Sequence, residues 1–134
     1  MLVDDVQTLL GFDYGLKRIG VAVGQTLTGT ARPLATISCK QGQPPWSQID
    51  ALIALWQPAA LVIGIPYLAD GRAGESARRA WVFACTLTNR YSLPVHHCDE
   101  HLSSWAAQER SRSTHDLDAQ AASIILESYM EQLA

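Results

Sequence analysis

Hydrophobic residues alternate with polar or small ones early in the chain, then shift to helical spacing. Residues 7–14 read as a strand, with Leu10, Phe12 and Tyr14 on one face and Leu9, Gly11 and Asp13 on the other. Gly15 marks a tight turn, and residues 18–24, RIGVAVG, read as the hairpin partner. In that partner Ile19, Val21 and Val23 alternate with smaller residues, and a strand around 31–38 completes a meander. After the loop QGQPPW, a helix over SQIDALIALW is expected to open at Pro45 or Ser47 and to stop at Pro58. The continuous apolar run ALVIGIP, residues 60–66, predicts a central strand buried on both faces. A helix from about 75 to 90, a strand over 94–99, a helix over 102–110 and a last helix over 118–133 follow. The last helix carries Ala121, Ala122, Ile125, Tyr129 and Leu133 at helical spacing. A meander followed by alternating helices and strands describes one α/β domain over 1–134, a mixed five-stranded sheet with helices on both faces.

Composition narrows the class. With 134 residues, 48% hydrophobic and 17% charged, the chain has an ordinary globular make-up. No run approaches the ~20 apolar residues of a membrane span, and the first ten residues carry no basic residue, against a secretory leader. Three cysteines, an odd number, read as reduced thiols of a cytoplasmic protein. The net charge of −3 gives no overall basic field, so a polyanion must be met by local clusters such as Lys17-Arg18 and Arg78-Arg79.

Candidate chemistry lies in acids at element ends: Asp13 on the first strand, Asp99-Glu100 after the last strand and Asp118 opening the last helix. In open α/β sheets ligand sites gather at the carboxyl ends of strands. If the first and fourth strands run parallel side by side, Asp13 also approaches the acid of the Pro66–Asp70 segment. Converging carboxylates repel unless a cation lies between them, and such hard oxygens suit Mg²⁺ or Mn²⁺. Taken singly, each acid has another reading. Asp13 suits an Asx turn, Asp118 a helix N-cap, and Asp99-Glu100 a solvated turn before Ser103-Ser104.

Four segments together, GFDYGLKRIGVAVG, VIGIPYLADG, DEHLSS and DAQAASIILESYM, resemble the YqgF/RuvX family from about Leu9 to Leu133. These are Holliday-junction-resolvase-like proteins of the ribonuclease H fold, described as nucleases for the 5′ end of pre-16S ribosomal RNA. The resemblance implies a ribonuclease H-like fold with catalytic carboxylates on the first strand, a later strand end and the last helix. In this sequence those are Asp13, Glu100 and Asp118, holding one or two Mg²⁺ or Mn²⁺ ions, with Asp99 beside them. Gly15 would leave room for a phosphate, Lys17 and Arg18 follow where a phosphate contact is useful, and Arg79 matches a basic position of the family.

Two positions depart from the family pattern. His101 stands where its strand end carries an arginine, a permanent bidentate phosphate donor. Residues 111–117 also replace a longer Gly/Lys-bearing segment. The implied activity is metal-dependent phosphodiester hydrolysis in pre-16S rRNA processing, in the cytoplasm, by a monomer or homodimer. Two alternatives share the fold: a non-catalytic nucleic-acid-binding protein, and a DNA-junction resolvase. The resolvase requires a dimer, because two strands are cut symmetrically. VHHCDEH, residues 95–101, invites a zinc reading, but alternation splits its ligands between two faces and no second cluster completes a set of four.

Overall fold

A computed structural model describes residues 7–99 and 117–133. Their elements are β1 (Thr8–Tyr14), β2 (Arg18–Gln25), β3 (Thr30–Ser38), α1 (Trp46–Trp56), β4 (Ala60–Ile65), α2 (Glu75–Tyr91), β5 (Val95–Asp99) and α3 (Leu117–Leu133). The helix expected over 102–110 lies outside the described residues, as do Glu100, His101 and the 111–116 stretch.

The strands form one sheet in the order β3-β2-β1-β4-β5. β1, β2 and β3 make the antiparallel meander, while β4 and β5 run parallel to β1. β4 is buried along its whole length, as its unbroken apolar run requires at a position between two neighbours and beneath helices. α1 ends one residue before the expected breaker region: Gln57 adopts a left-handed conformation, its N–H closing on the Ile53 carbonyl at 2.8 Å, and Pro58 follows.

The alternation read along β1 is borne out. Leu10 and Phe12 enter the core beneath α1 and α2, with Ile19, Val21, Ile49, Ile63, Phe83 and Leu87. Leu9 enters the second core beneath α3, with Ala22, Val62, Cys98, Ala122, Ile125 and Leu126.

The seat of α3 sets the rest of the molecule. On that side of the sheet the cross-strand rows of β1 and β2 are Leu9–Gly24, Gly11–Ala22 and Asp13–Gly20. Met130 and Leu126 lie 3.1 and 3.2 Å from where a Cβ on Gly24 would be, and the Ala122 carbonyl 3.1 Å from one on Gly11. A Cβ on Gly20 would run into the backbone carbonyl of Asp118. The residues above the three rows, 130 and 126, 122, then 118, follow four-residue steps. Four helical residues rise about 6 Å and two strand residues about 6.6 Å, so helix and strand stay in step. α3 therefore runs antiparallel to β1 with its first turn above the end of β1.

Of the apolar positions at helical spacing in this helix, Ala121, Ala122 and Ile125 are buried, while Leu133 is 59% exposed, beside the exposed Leu27 of the β2–β3 turn. The buried arc is also wider than the expected one, taking in Ala119, Ile124, Leu126 and Met130. Small residues on both sides let the helix sink closer to the sheet, which covers more of its circumference.

Candidate functional site

Because β1, β4 and β5 are parallel, their carboxyl ends share one edge of the sheet. Asp13 is the penultimate residue of β1, directly opposite Gly20, and residues paired across antiparallel strands project to the same face. Gly20 faces Asp118, so Asp13 also projects towards the first turn of α3. The missing side chain at Gly20 is what lets the helix backbone descend to that row. Two of the three predicted acids are thus brought to one edge by packing.

Arg18, the first residue of β2, completes the arrangement. Its Nε donates to Oδ2 of Asp118 at 2.8 Å, joining positions a hundred residues apart. That hydrogen bond, with the charge of the carboxylate, raises the guanidinium pKa further. Both side chains keep solvent contact, 56% for Arg18 and 29% for Asp118. Asp118 stands inside the first turn of α3, where a negative charge also suits the helix dipole.

The other predicted residues are placed differently. Lys17 is exposed in the β1–β2 turn, where its carbonyl accepts from the Cys39 N–H at 2.8 Å. A Cβ on Gly15 would lie 2.8 Å from the Arg18 carbonyl, so this glycine is required by the turn itself; it also lines a small cleft with Tyr14, Leu16, Ser76 and Arg79. Arg79 belongs to α2, on the opposite side of the sheet from α3, and pairs with Glu75 at 3.3 Å. Asp70 folds back on Arg72, accepting from its backbone N–H at 3.0 Å and its Nε at 2.7 Å, so that acid is engaged within its own turn.

β5 divides its polar residues between two faces. His96 stacks on Tyr129 of α3, ring centroids 5.2 Å apart, and the Cys98 thiol lies 3.6 Å from the Ile125 carbonyl. His97 packs edge-on against Trp81 of α2 at 4.5 Å. By alternation Asp99 shares the side of His97, opposite the side to which Asp13 projects. Glu100 lies outside the described residues. Among the described residues no three His, Cys, Asp or Glu side chains gather as a metal-ligand group.

Two features escaped the sequence reading. Gly20 was seen only as a small residue between Ile19 and Val21, yet it seats Asp118. Arg18 was assigned to a phosphate, and its partnership with Asp118 is visible only once α3 is in place. The run Gly20, Ala22, Gly24 at every second position of β2 was the available signal for a closely approaching helix.

Comparison with known proteins agrees with this architecture. The sequence model of the RuvX family, described as Holliday junction resolvase, matches residues 7–132. A protein of Pseudomonas putida named "Putative pre-16S rRNA nuclease" is 44% identical over 136 residues, covering 95% of this chain and 96% of that protein. One of the same name from Hydrogenovibrio crunogenus is 43% identical over 126 residues, covering 93% and 94%. Among solved structures, Thermus thermophilus RuvC in complex with Holliday junction substrate superposes with a TM-score of 0.58 at 16% identity, covering 94% of each chain. The fowlpox virus Holliday junction resolvase gives 0.56 at 14% identity, covering 95% of this chain and 99% of that one. At these identities the structural matches establish the fold, which is ribonuclease H-like.

Proposed function

The chain belongs to the RuvX family, and from that premise we propose that it is a nuclease hydrolysing phosphodiester bonds, with Asp13, Glu100 and Asp118 as its catalytic carboxylates. We further assign its substrate as the 5′ end of pre-16S rRNA, its cofactor as Mg²⁺ or Mn²⁺, and its place as the cytoplasm. The full-length relatives named as pre-16S rRNA nucleases support the substrate. No described helix is long and apolar enough to cross a membrane. One observation carries the reading: Gly20 lets the backbone of Asp118 come down on the row of β1 and β2 that holds Asp13.

The donor set suits a hard divalent cation, since Asp13 and Asp118 offer carboxylate oxygens from two separate elements at one solvent-accessible edge. Asp13, Asp118 and Glu100 would hold it. When bound, such an ion activates a water and stabilises the leaving oxygen of a phosphodiester. Arg18 orients Asp118 through Nε, and its remaining N–H donors face solvent as partners for a phosphate oxygen. Lys17, exposed in the adjoining turn, adds positive charge at the same edge.

The test pairs calorimetry with cleavage. Mn²⁺ is titrated into the wild type, Asp13→Asn and Asp118→Asn, and each protein is incubated with pre-16S leader RNA and with a four-way DNA junction. Loss of a ligand is expected to weaken metal binding and cleavage at least as much as loss of a supporting residue does, roughly 10–100-fold, with helix content unchanged. Preferential cleavage of the junction would move the substrate to DNA. Cleavage that survives Asp13→Asn would overturn the assignment. Metal-independent, salt-dependent RNA binding without cleavage would favour a binding protein on the same fold.

A further inference from the structure

On the side of the sheet away from α3, the end of β1 borders two clefts that share Tyr14 and Arg79. The larger, of about 330 Å³, opens between the segment leading into α1 and one flank of α2. Its wall is aromatic. Phe83 stacks on Tyr14 at 4.9 Å between ring centroids and on Trp46 at 5.8 Å. Its mouth carries Arg78, Arg79 and Val82, the last 66% exposed although large and apolar.

This local chemistry runs against that of the whole chain. The net charge is −3, yet the mouth holds two arginines against one acid, Glu75, which pairs with Arg79 at 3.3 Å. The guanidinium of Arg78 is exposed and has no hydrogen bond or ion pair with a described residue. Aromatic and apolar walls suit the flat, weakly hydrated face of a nucleobase, and arginines at the mouth suit the phosphate attached to it. Tyr14 directly follows Asp13 in the chain, and β1 alternation sends the two to opposite faces of the same sheet edge.

We propose that this cleft is a binding subsite for one unstacked base of a single-stranded segment of the nucleic-acid substrate, with its phosphate on Arg78 and Arg79. The strand passes over the carboxyl edge of β1, so that a phosphodiester near Asp13 and a base in the cleft belong to the same segment. This rests on the nuclease reading and deepens it, because recognition would require an unpaired nucleotide beside the cleavage point. A protein side chain could fill an aromatic cleft as well, but it gives no reason for the paired arginines at the mouth.

The experiment uses the full chain in EDTA and fluorescence anisotropy with a labelled single-stranded RNA decamer. The comparison probes are the same decamer carrying abasic sites and a blunt RNA duplex. Val82→Glu puts a carboxylate at the mouth of the cleft from an exposed position and leaves the cores intact. It is expected to weaken decamer binding roughly tenfold, the scale of one stacked base, and to leave duplex binding unchanged. Arg78→Ala is expected to lower the slope of log K against log salt concentration by about one phosphate contact. The abasic decamer should bind wild type and Val82→Glu equally once charge is screened at high salt.

If wild type binds the abasic and intact decamers equally, or Val82→Glu leaves decamer binding unchanged, the base subsite is overturned. Cleavage of the decamer by wild type in Mn²⁺, run in parallel, separates the two readings. Cleavage with no effect of Val82→Glu removes the subsite alone. Neither binding nor cleavage of any probe removes the subsite and the nuclease reading together.

Discussion

Beneath α1 and α2 the sheet presents Leu10, Phe12, Ile19, Val21 and Ile63, none with exposed surface. Beneath α3 the same strands present Leu9 and Val62 among Gly11, Gly20, Ala22 and Gly24. The first face fills space with large side chains, and its helices stand off the sheet by the depth of those side chains. The second face removes the side chain at one position of each β1–β2 row, and there its helix comes close enough for backbone to approach backbone. Bulk on one side gives apolar burial. Closeness on the other gives position, since a helix resting on three glycine-bearing rows can neither slide nor tilt far without a clash. The candidate chemistry sits on the side built for position.

The largest expected effect breaks the bulky side. Phe12 is fully buried and meets Phe83 edge-on at 5.7 Å. Phe12→Ala should cost about 3–5 kcal/mol in denaturant unfolding, the range for losing a large aromatic from a packed core. If the two faces are as separable as their construction suggests, Mn²⁺ affinity of the molecules still folded should change by only a few-fold. A large loss of metal affinity in folded Phe12→Ala would show that the acid edge depends on the far core.

The complementary change is smaller in stability and larger in function. Gly20→Ala adds one methyl group where the Asp118 carbonyl lies. Overpacking of this kind costs about 1–3 kcal/mol. Backbone has no rotamer by which to yield, so the first turn of α3 must lift, carrying Asp118 away from the row of Asp13. Mn²⁺ binding should fall at least tenfold while the unfolding midpoint moves less than in Phe12→Ala. Unchanged Mn²⁺ binding by Gly20→Ala would mean that the seat of α3 does not set the metal site.

These two variants also mark what the sequence could disclose. The bulky face was legible because period-two alternation in β1 and the apolar run of β4 are local signals of burial. The meander, the parallel strands and most boundaries followed from them. The positional face was not legible in the same way, because a glycine records only the absence of a side chain. Its reason, Asp118, lies about a hundred residues further along. Arg18 had the same difficulty: a basic residue after a turn suggests solvent or phosphate, and its carboxylate partner comes from a helix whose seat had to be known first. The side of the sheet taken by Asp99 was readable from strand alternation, and the His97–Trp81 contact agrees with it. The candidate acids stand out in the sequence as acids at element ends, each with an ordinary turn or cap reading, and only the resemblance of whole segments joins Asp13, Glu100 and Asp118 into one set. Leu133 keeps the helical spacing yet is exposed, because periodicity does not record where the sheet beneath a helix ends.

The smallest effect sharpens the comparison through pH. On the bulky side Asp50 of α1 accepts from Nε and a terminal nitrogen of Arg90 at 2.9 and 2.8 Å, and from the Tyr91 hydroxyl at 2.6 Å. These bonds, Arg90's first and Tyr91's second, lower its pKa from the ordinary 3.8 to about 2. A carboxylate with a depressed folded-state pKa contributes stability that is fully present above its unfolded value. That stability is lost as pH falls through the folded one. The contribution should therefore be constant above about pH 5 and be lost progressively between about pH 5 and pH 1. Both partners are over 40% exposed, so salt should weaken it. Thermal unfolding of wild type and Asp50→Asn should differ slightly at pH 7 and by clearly less at pH 2, with Mn²⁺ affinity equal at pH 7. A gap that persists unchanged at pH 2 would show that Asp50 acts through packing, and that the α1–α2 clasp owes nothing to its charge.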